Sequence, residues 1–191
     1  MPSGDLWFFE RFARPYELFM PPADSAVVER ALGLARRPVD RVVDVAGGPG
    51  RAARAVDAPE RVVVDAAAGM LRRVPHGMAA VRGDASRLPL RSEAADAVLV
   101  VDALHHLPRT DAVVSEAERV LRPGGVLVIR EFDRGTLRGR FLEVGEHLIG
   151  FDSTFFTADE LAERLADAGF EAHVTDRGFD CTVVGVKPGS P

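Results

Sequence analysis

Short apolar runs rich in valine alternate with helical patterns along most of the chain. Residues 39–45 are largely apolar and too few for a helix, which predicts a strand buried on both faces. The repeated order of strand, turn and helix indicates an α/β fold, with a mostly parallel sheet and helices on both faces. The predicted strands are 39–45, 61–64, 79–82, 97–101 and 126–129, and the predicted helices are 24–37, 49–56, 66–74 and 110–121, the last with Thr110 as its N-cap.

The last third of the chain departs from this order. After a predicted turn at 122–125 and the fifth strand, residues 133–156 fit neither pattern and are predicted to form a helical insertion over the strand ends. Thr157 begins a capping-box pattern, which predicts a helix that ends near position 169. Residues 171–175 and 181–187 lie close enough in sequence to form an antiparallel hairpin. The hairpin brings the expected sheet to seven strands.

Composition and charge narrow the class of protein. The chain has 191 residues, of which 47% are hydrophobic and 28% charged, as expected for one packed domain. Acidic residues outnumber basic ones by 29 to 24, which disfavours nucleic acid and anionic membranes as partners. No apolar run is long enough for a membrane span. Cys181 is the sole cysteine, so we expect no intrachain disulfide, no metal site and a cytoplasmic location.

An aspartate closes each of the first four predicted strands: Asp44, Asp65, Asp84 and Asp102. Aspartate is also common as a turn former, so any one of them alone is ambiguous. Ligands of open α/β sheets bind outside the carboxyl ends of the strands, where all four carboxylates would meet. Together with the glycine-rich turn that follows the first strand, they predict a ligand site.

The glycine-rich turn allows two interpretations. Its Gly48-x-Gly50-x-x-Ala53 spacing satisfies the dinucleotide-binding pattern, and Asp65 lies near the place of a ribose-binding acid. A pyrophosphate, however, would meet like charge beside Asp44 and Asp84. A ligand with a sulfonium and an ammonium group and no phosphate would be attracted. This favours S-adenosylmethionine, with an NAD(P)-dependent oxidoreductase as the alternative.

Five motifs in order carry a family resemblance: DVAGGPG, VVVDAAAGM, GDASRLPL, ALHHLPR and RVLRPGGVLVI. Over roughly residues 39–130 they resemble the class I S-adenosylmethionine-dependent methyltransferases, within the group that includes the ubiquinone/menaquinone biosynthesis methyltransferases. The resemblance implies a Rossmann-like fold and methyl transfer to a small acceptor through carbon, oxygen or nitrogen. A protein that binds S-adenosylmethionine without turnover is a further alternative.

The pattern of predicted elements also divides the chain into parts. We expect one domain of residues 1–191, in which an N-terminal cap segment (1–37) precedes a cofactor-binding core (38–132). The insertion or lid (133–156) and a C-terminal helix and hairpin (157–191) follow.

Residue by residue, the resemblance implies a cofactor site. Asp44 would lie near the cofactor ammonium, and Asp65 would accept bonds from both ribose hydroxyls. Asp84 would bind the adenine amino group, with the Ala85 N–H facing a ring nitrogen and Met70 packing near adenine or ribose. The backbone at Gly47, Gly48 and Gly50 would approach the methionine part, and the remaining cofactor-binding candidates are Ala46, Ala66, Asp102 and Tyr16.

Candidates for catalysis are fewer and more ambiguous. Tyr16 resembles the tyrosine of a segment that closes over the cofactor, although it also lies in an aromatic cluster that core packing would explain. His105 and His106 resemble the family's LHH, where they either shape the pocket or transfer a proton. His147 lies one helical turn from Glu143, on either a solvated helix face or a substrate-facing one. The N-terminal segment and the insertion are expected to form the acceptor pocket, because their aromatic residues would suit a hydrophobic acceptor.

Overall fold

The structure is a computed structural model and describes residues 23–148, 151 and 153–189. The strands are β1 (Arg41–Val45), β2 (Glu60–Asp65), β3 (Ala79–Arg82), β4 (Ala95–Val101), β5 (Leu121–Phe132), β6 (Glu171–Asp176) and β7 (Asp180–Val186). They form one sheet in the order β3-β2-β1-β4-β5-β7-β6. The first five are parallel, and β7 pairs antiparallel with both β5 and β6. The predicted seven-stranded, mostly parallel sheet with an antiparallel C-terminal hairpin is confirmed.

Helices cover both faces of this sheet. They are α1 (Ser25–Leu32), α2 (Arg51–Arg54), α3 (Ala68–Leu71), α4 (Thr110–Val120), α5 (Leu137–Leu148) and α6 (Ala158–Asp167), with a 3-10 turn at Leu104–His106. Successive strand residues point to opposite faces, so Val42 packs with α1 and α2, whereas Val43 packs with α4 and α6. Burial on both faces explains why the central strands are runs of valine rather than alternating sequences. Among the helices described, none is long and apolar enough to span a membrane.

The predicted turn at 122–125 is wrong as an element boundary, because these residues lie inside β5. Gly124 does adopt a left-handed conformation, with φ of 78°. The backbone kinks there, and the pairing with β4 shifts register, from Ala95 opposite Leu121 to Ala97 opposite Val126. The Pro-Gly-Gly signal therefore marks an irregularity within a strand and not the loop before it.

Several predicted helices are shorter in the structure. The helix predicted for 24–37 ends at Leu32. After it, the Leu34 N–H donates to the Ala31 carbonyl and the Ala35 N–H to the Leu32 carbonyl, and these bonds between residues three apart form tight turns in place of a continued α-helix. Those predicted for 49–56 and 66–74 are reduced to α2 and α3. The chain on either side of these two helices forms the turns at the strand ends.

Two predicted helix starts have different outcomes. Thr110 is not the N-cap of α4: Arg109 occupies that position, and the Thr110 hydroxyl donates to the carbonyl of Leu107 at 3.3 Å. The capping box of α6 is confirmed, because the Thr157 side chain accepts from the Glu160 N–H and the Glu160 carboxylate accepts from the Thr157 N–H. The helix that begins at this capping box packs against β6 and β7.

Candidate functional site

A pocket opens at the carboxyl ends of β1, β2 and β4, where the strand order reverses between β1 and β4. All four strand-end aspartates line it, as do most of the predicted cofactor-binding residues. Its lining includes Asp44, Ala46, Gly47, Gly48, Asp65, Ala66, Met70, Asp84, Ala85, Asp102 and His106. Gly50, His105 and His147 are not among the lining residues, and Tyr16 lies outside the residues that the structure describes.

The glycine-rich turn after β1 forms one wall of the pocket. A Cβ on Gly47 would lie 2.6 Å from Oδ2 of Asp44, so only glycine lets the backbone cross this carboxylate so closely. Gly50 serves the turn and does not line the pocket: its φ is 80°, and a Cβ there would meet Val63 at 3.2 Å. The turn thus packs its own backbone against the ends of β1 and β2.

Asp44 is buried beneath this turn, with 1% of its surface exposed. Its Oδ2 accepts from the Ala53 N–H at 2.9 Å, whereas its Oδ1 has no hydrogen-bond partner within the described part of the chain. Burial raises the pKa of Asp44 to about 7, although the Ala53 N–H and Arg51 favour the ionised form. A buried carboxylate oxygen without a partner is suited to a cationic or hydrogen-bond-donating ligand.

Asp65 ends β2 and holds the turn from the other side. Its Oδ2 accepts from the Gly48 N–H at 2.8 Å and its Oδ1 from the Ala67 N–H at 2.7 Å. These bonds hold the Asp65 carboxylate beside the glycine-rich turn, where it lines the pocket. Met70, which is 2% exposed, lies in the same wall.

Asp84 is the most exposed of the four acids, with a side chain 58% exposed. Its Oδ1 accepts from both the hydroxyl and the N–H of Ser86, and its Oδ2 lies 2.9 Å from Nη2 of Arg109. The Ser86 bonds, with a smaller contribution from Arg109, lower the pKa of Asp84. An ionised acceptor therefore stands beside the Ala85 backbone at this end of the pocket.

Asp102 pairs with a residue that the sequence analysis missed. Its Oδ2 lies 2.6 Å from Nη2 of Arg51, and both side chains are largely buried. Burial raises the pKa of Asp102 despite the opposing effect of Arg51. Asp102 also has a positive φ of 50°, which is strained for a residue with a Cβ. The strained backbone and the ion pair fix the wall after β4.

The three candidate histidines occupy different environments. His106 lines the pocket, and burial together with His105 lowers its pKa to about 3, so it is neutral at pH 7. His105 is buried behind it, with Nδ1 2.7 Å from Oε2 of Glu131 and its ring stacked on Phe155. Burial lowers the pKa of His105, but the nearby carboxylates outweigh it and the net shift is upward. His147 is exposed, and its Nε2 contacts the Ser153 carbonyl at 2.9 Å.

Several residues of this region were not found from sequence. Leu107, Pro108 and Arg109 line the pocket, and they follow the LHH motif directly. Glu131 is the more instructive case, since it is an ionisable residue within an apolar strand and is only 2% exposed. A charged residue within a buried strand usually has a specific partner. The sequence alone could therefore have indicated that Glu131 binds another polar group.

Residues 43–129 match a family model described as a methyltransferase domain. The chain is 41% identical to demethylmenaquinone methyltransferase of Beutenbergia cavernae over 105 residues, which are 52% of this chain and 43% of that protein. It is 36% identical to malonyl-[acyl-carrier protein] O-methyltransferase of Methylococcus capsulatus over 166 residues, or 78% of this chain and 60% of that protein. The chain thus spans about half the length of these curated relatives.

A solved structure of an S-adenosylmethionine-dependent methyltransferase from Thermotoga maritima superimposes with a TM-score of 0.77. It shares 24% identity and covers 95% of this chain and 99% of its own, which establishes the fold. The resemblance inferred from the five motifs is confirmed by these matches. Neither the nicotinamide-dependent alternative nor the non-catalytic one gains support from them.

Proposed function

Because residues 43–129 match a family model described as a methyltransferase domain, we propose that the protein is a class I methyltransferase that transfers the sulfonium methyl group of S-adenosylmethionine to a small acceptor. The observation that carries the proposal is the pocket in which Asp44, Asp65 and Asp84 meet. The cofactor carries a sulfonium, an ammonium, two ribose hydroxyls and an adenine amino group. All of these groups are cations or hydrogen-bond donors, and an acidic pocket suits them.

Each carboxylate has a distinct assignment in this proposal. The buried Oδ1 of Asp44 attracts the cofactor ammonium, with the backbone of Gly47 and Gly48 close by. Asp65, at the end of β2, lines the pocket and accepts the ribose hydroxyls. Asp84 accepts the adenine amino group, and its low pKa keeps it ionised for this purpose.

Methyl transfer places limited chemical demands on the protein. The methyl carbon is already activated by the sulfonium, so alignment with the acceptor atom and exclusion of water supply much of the catalysis. The acceptor reaches the methyl group from the side of the pocket where His106 and Leu107 lie. A pKa of about 3 keeps His106 neutral and makes it a weak base, so we assign it to shaping the pocket and not to proton transfer.

The names of two relatives bear on the choice of acceptor. The two curated relatives are named for different acceptors, a demethylmenaquinone and a malonyl group on acyl-carrier protein. We propose a small, hydrophobic acceptor, methylated at carbon, oxygen or nitrogen, and a cytoplasmic location because the sole cysteine, Cys181, is buried and unpaired.

Titration calorimetry tests the cofactor assignment. We expect S-adenosylmethionine and S-adenosylhomocysteine to bind at least ~10-fold more tightly than NAD, because a pyrophosphate would meet the carboxylates of the pocket. For variants of the acids in the pocket, Asp57→Asn is the matched control, since Asp57 is an exposed acid that does not line the pocket. Tighter binding of NAD would contradict the proposal. Incubation with a panel of acceptors, followed by detection of S-adenosylhomocysteine, then tests turnover.

A further inference from the structure

We propose that His105, His106 and Glu146 form a binding site for a divalent transition-metal ion beside the pocket. Each offers one ligand atom, and these atoms lie within 4.8 Å of one another. Imidazole nitrogens with a carboxylate oxygen are ligands typical of Zn²⁺, Fe²⁺ and Co²⁺ in proteins. The site joins the end of β4 to helix α5, two parts of the fold that are distant in sequence.

The ring of His105 is held in the orientation that a metal ligand needs. Its Nδ1 lies 2.7 Å from Oε2 of Glu131, whose other oxygen accepts from the N–H groups of Ala103 and Leu104 at 2.9 and 2.5 Å. The ring also stacks on Phe155, with centroids 4.7 Å apart. A carboxylate that accepts from one imidazole nitrogen leaves the other directed at the metal, which is the usual arrangement behind metal-binding histidines.

Glu146 faces the free side of that ring. Its Oε2 accepts from the Ser153 hydroxyl, and its Oε1 lies 3.8 Å from Nε2 of His105. This separation is too long for a hydrogen bond. Two ligands of a tetrahedral zinc ion lie roughly 3.3 Å apart, given bonds of about 2.0–2.1 Å, so the three atoms, now within 4.8 Å of one another, must draw together when the ion binds. The Glu146 side chain is only 13% exposed, which shields the two groups from bulk water.

His106 is linked to the same network through Ser153. Its Nδ1 lies 3.2 Å from the Ser153 hydroxyl oxygen, and its ring centroid lies 4.0 Å from that of His105. Because Ser153 gives its one proton to Glu146, the contact with His106 has the imidazole as donor. Ser153 thus positions two of the three ligands, and its carbonyl is in turn held by His147.

The role of the ion rests on the proposed function. His106 lines the pocket as well as the cluster, so an ion held here adjoins the acceptor. Such an ion binds an acceptor oxygen and lowers the pKa of a hydroxyl bound to it. The site therefore favours acceptors with a hydroxyl or carbonyl oxygen next to the methylated atom.

Zinc titration of the full, chelator-treated chain tests the site. We expect one equivalent of Zn²⁺ to bind in calorimetry, and one equivalent of Co²⁺ to give visible absorption bands of a tetrahedral or five-coordinate ion. Loss of a ligand in Glu146→Gln or His106→Ala should weaken zinc binding at least ~100-fold, more than loss of an outer partner does. Glu143→Gln and His173→Ala are matched controls, and both should bind zinc as the wild type does.

Two results would overturn this site: no equivalent of zinc bound by the wild type, or the same zinc affinity in Glu146→Gln as in Glu143→Gln. Thermal melts identify variants that fail to fold, and the partly exposed Glu146 keeps the test usable if His106→Ala unfolds. Binding of S-adenosylhomocysteine to the metal-free chain is measured in parallel. If this ligand binds and zinc does not, the metal site is wrong and the proposed function stands. If zinc binds and this ligand does not, the metal site stands and the proposed function is wrong.

Discussion

The carboxylate of Asp44 is buried by the protein itself, and burial of a charge costs free energy. Its raised pKa shows that the folded state favours the protonated form. A cationic ligand beside Oδ1 would supply the compensation that the fold itself does not provide. At this residue we therefore expect stability and ligand affinity to oppose each other.

Replacement of Asp44 tests this opposition. The pKa rises from 3.8 in the unfolded chain to about 7 in the fold, so the free energy of unfolding falls as pH increases between these values, by about 4 kcal/mol at most. Asp44→Asn cannot ionise and escapes this loss. In melts by circular dichroism, we expect the variant to gain stability relative to wild type from pH 5 to pH 8.5. The same difference at both pH values would show that the charge is not destabilising.

The same variant has a second expected effect. Asp44→Asn should weaken S-adenosylmethionine at least ~10-fold at pH 8.5, because the attraction to the cofactor ammonium is lost. Calorimetry at pH 8.5 measures this, with Asp57→Asn as the control. Unchanged affinity would remove Asp44 from the cofactor site.

Asp65 carries a separate prediction. If Asp65 accepts two ribose hydroxyls, Asp65→Ala should weaken S-adenosylmethionine by about 1.5 to 3 kcal/mol, roughly 10- to 150-fold. Asp65 also accepts from Gly48 and Ala67, so loss of these two bonds in the turn contributes to the change. Thermal melts of the ligand-free variant measure the loss in the turn separately from the loss of affinity. An unchanged dissociation constant in folded Asp65→Ala would exclude the residue from the site.

At the residue scale, sequence reasoning found the strand-end acids but not their partners. Asp44, Asp65 and Asp102 could be predicted because a strand end has a fixed place in a parallel sheet. Arg51 could not be paired with Asp102, since the two are 51 positions apart and meet only when α2 lies beside β4. Separations of 40 and 41 positions likewise hid the relation of Glu146 to His106 and His105.

Among the elements, the turns at strand ends were harder to predict than the strands. The valine runs identify β1 and β4, because burial on both faces leaves little choice of residue. The helices after β1 and β2 are short because Gly48 and Gly50 are left-handed and Asp65 binds Ala67. A helical pattern in the sequence does not show where the helix gives way to the turns that line the pocket.

The glycine-rich turn provides a test at this scale. In Gly47→Ala the added Cβ would collide with Asp44, so we expect a loss of about 1–3 kcal/mol in the free energy of unfolding and weaker cofactor binding. Gly145→Ala, within α5, is the control: a Cβ there meets nothing within 4 Å, and alanine should stabilise the helix by about 0.5–1 kcal/mol. Urea titration compares the two variants. Equal stability of Gly47→Ala and wild type would show that the turn tolerates a side chain.

For the molecule as a whole, the alternation of elements predicted the sheet and its hairpin, because both faces of a parallel sheet must be covered. The division into cap, core, insertion and C-terminal part stays a prediction.

Helix α5 lies within the predicted insertion, and it exposes a stripe of apolar side chains, Leu137, Phe141, Val144 and Leu148. Such a stripe on an otherwise well-packed domain needs an explanation beyond chance exposure.

The expected acceptor pocket gives the last prediction. The N-terminal segment carries Phe8, Phe12 and Phe19, which lie outside the described residues, and the insertion supplies Phe151 against the ring of His106. If the segment mainly serves the acceptor, removal of residues 1–20 should leave S-adenosylmethionine binding within about tenfold. Turnover should be abolished, because water and a misoriented acceptor are no longer excluded.

Three measurements decide this prediction: the cooperative melt, the calorimetric affinity and the release of S-adenosylhomocysteine. A truncated chain without a cooperative melt would assign the segment to the core and leave its acceptor role unsupported. Phe141→Ser, on the exposed face of α5, adds a comparison that leaves the N-terminal segment intact. Because Phe141 is 77% exposed, this change should cost little stability, so lower turnover in it would point to the stripe itself. Full turnover after truncation would show that the segment has no part in acceptor binding.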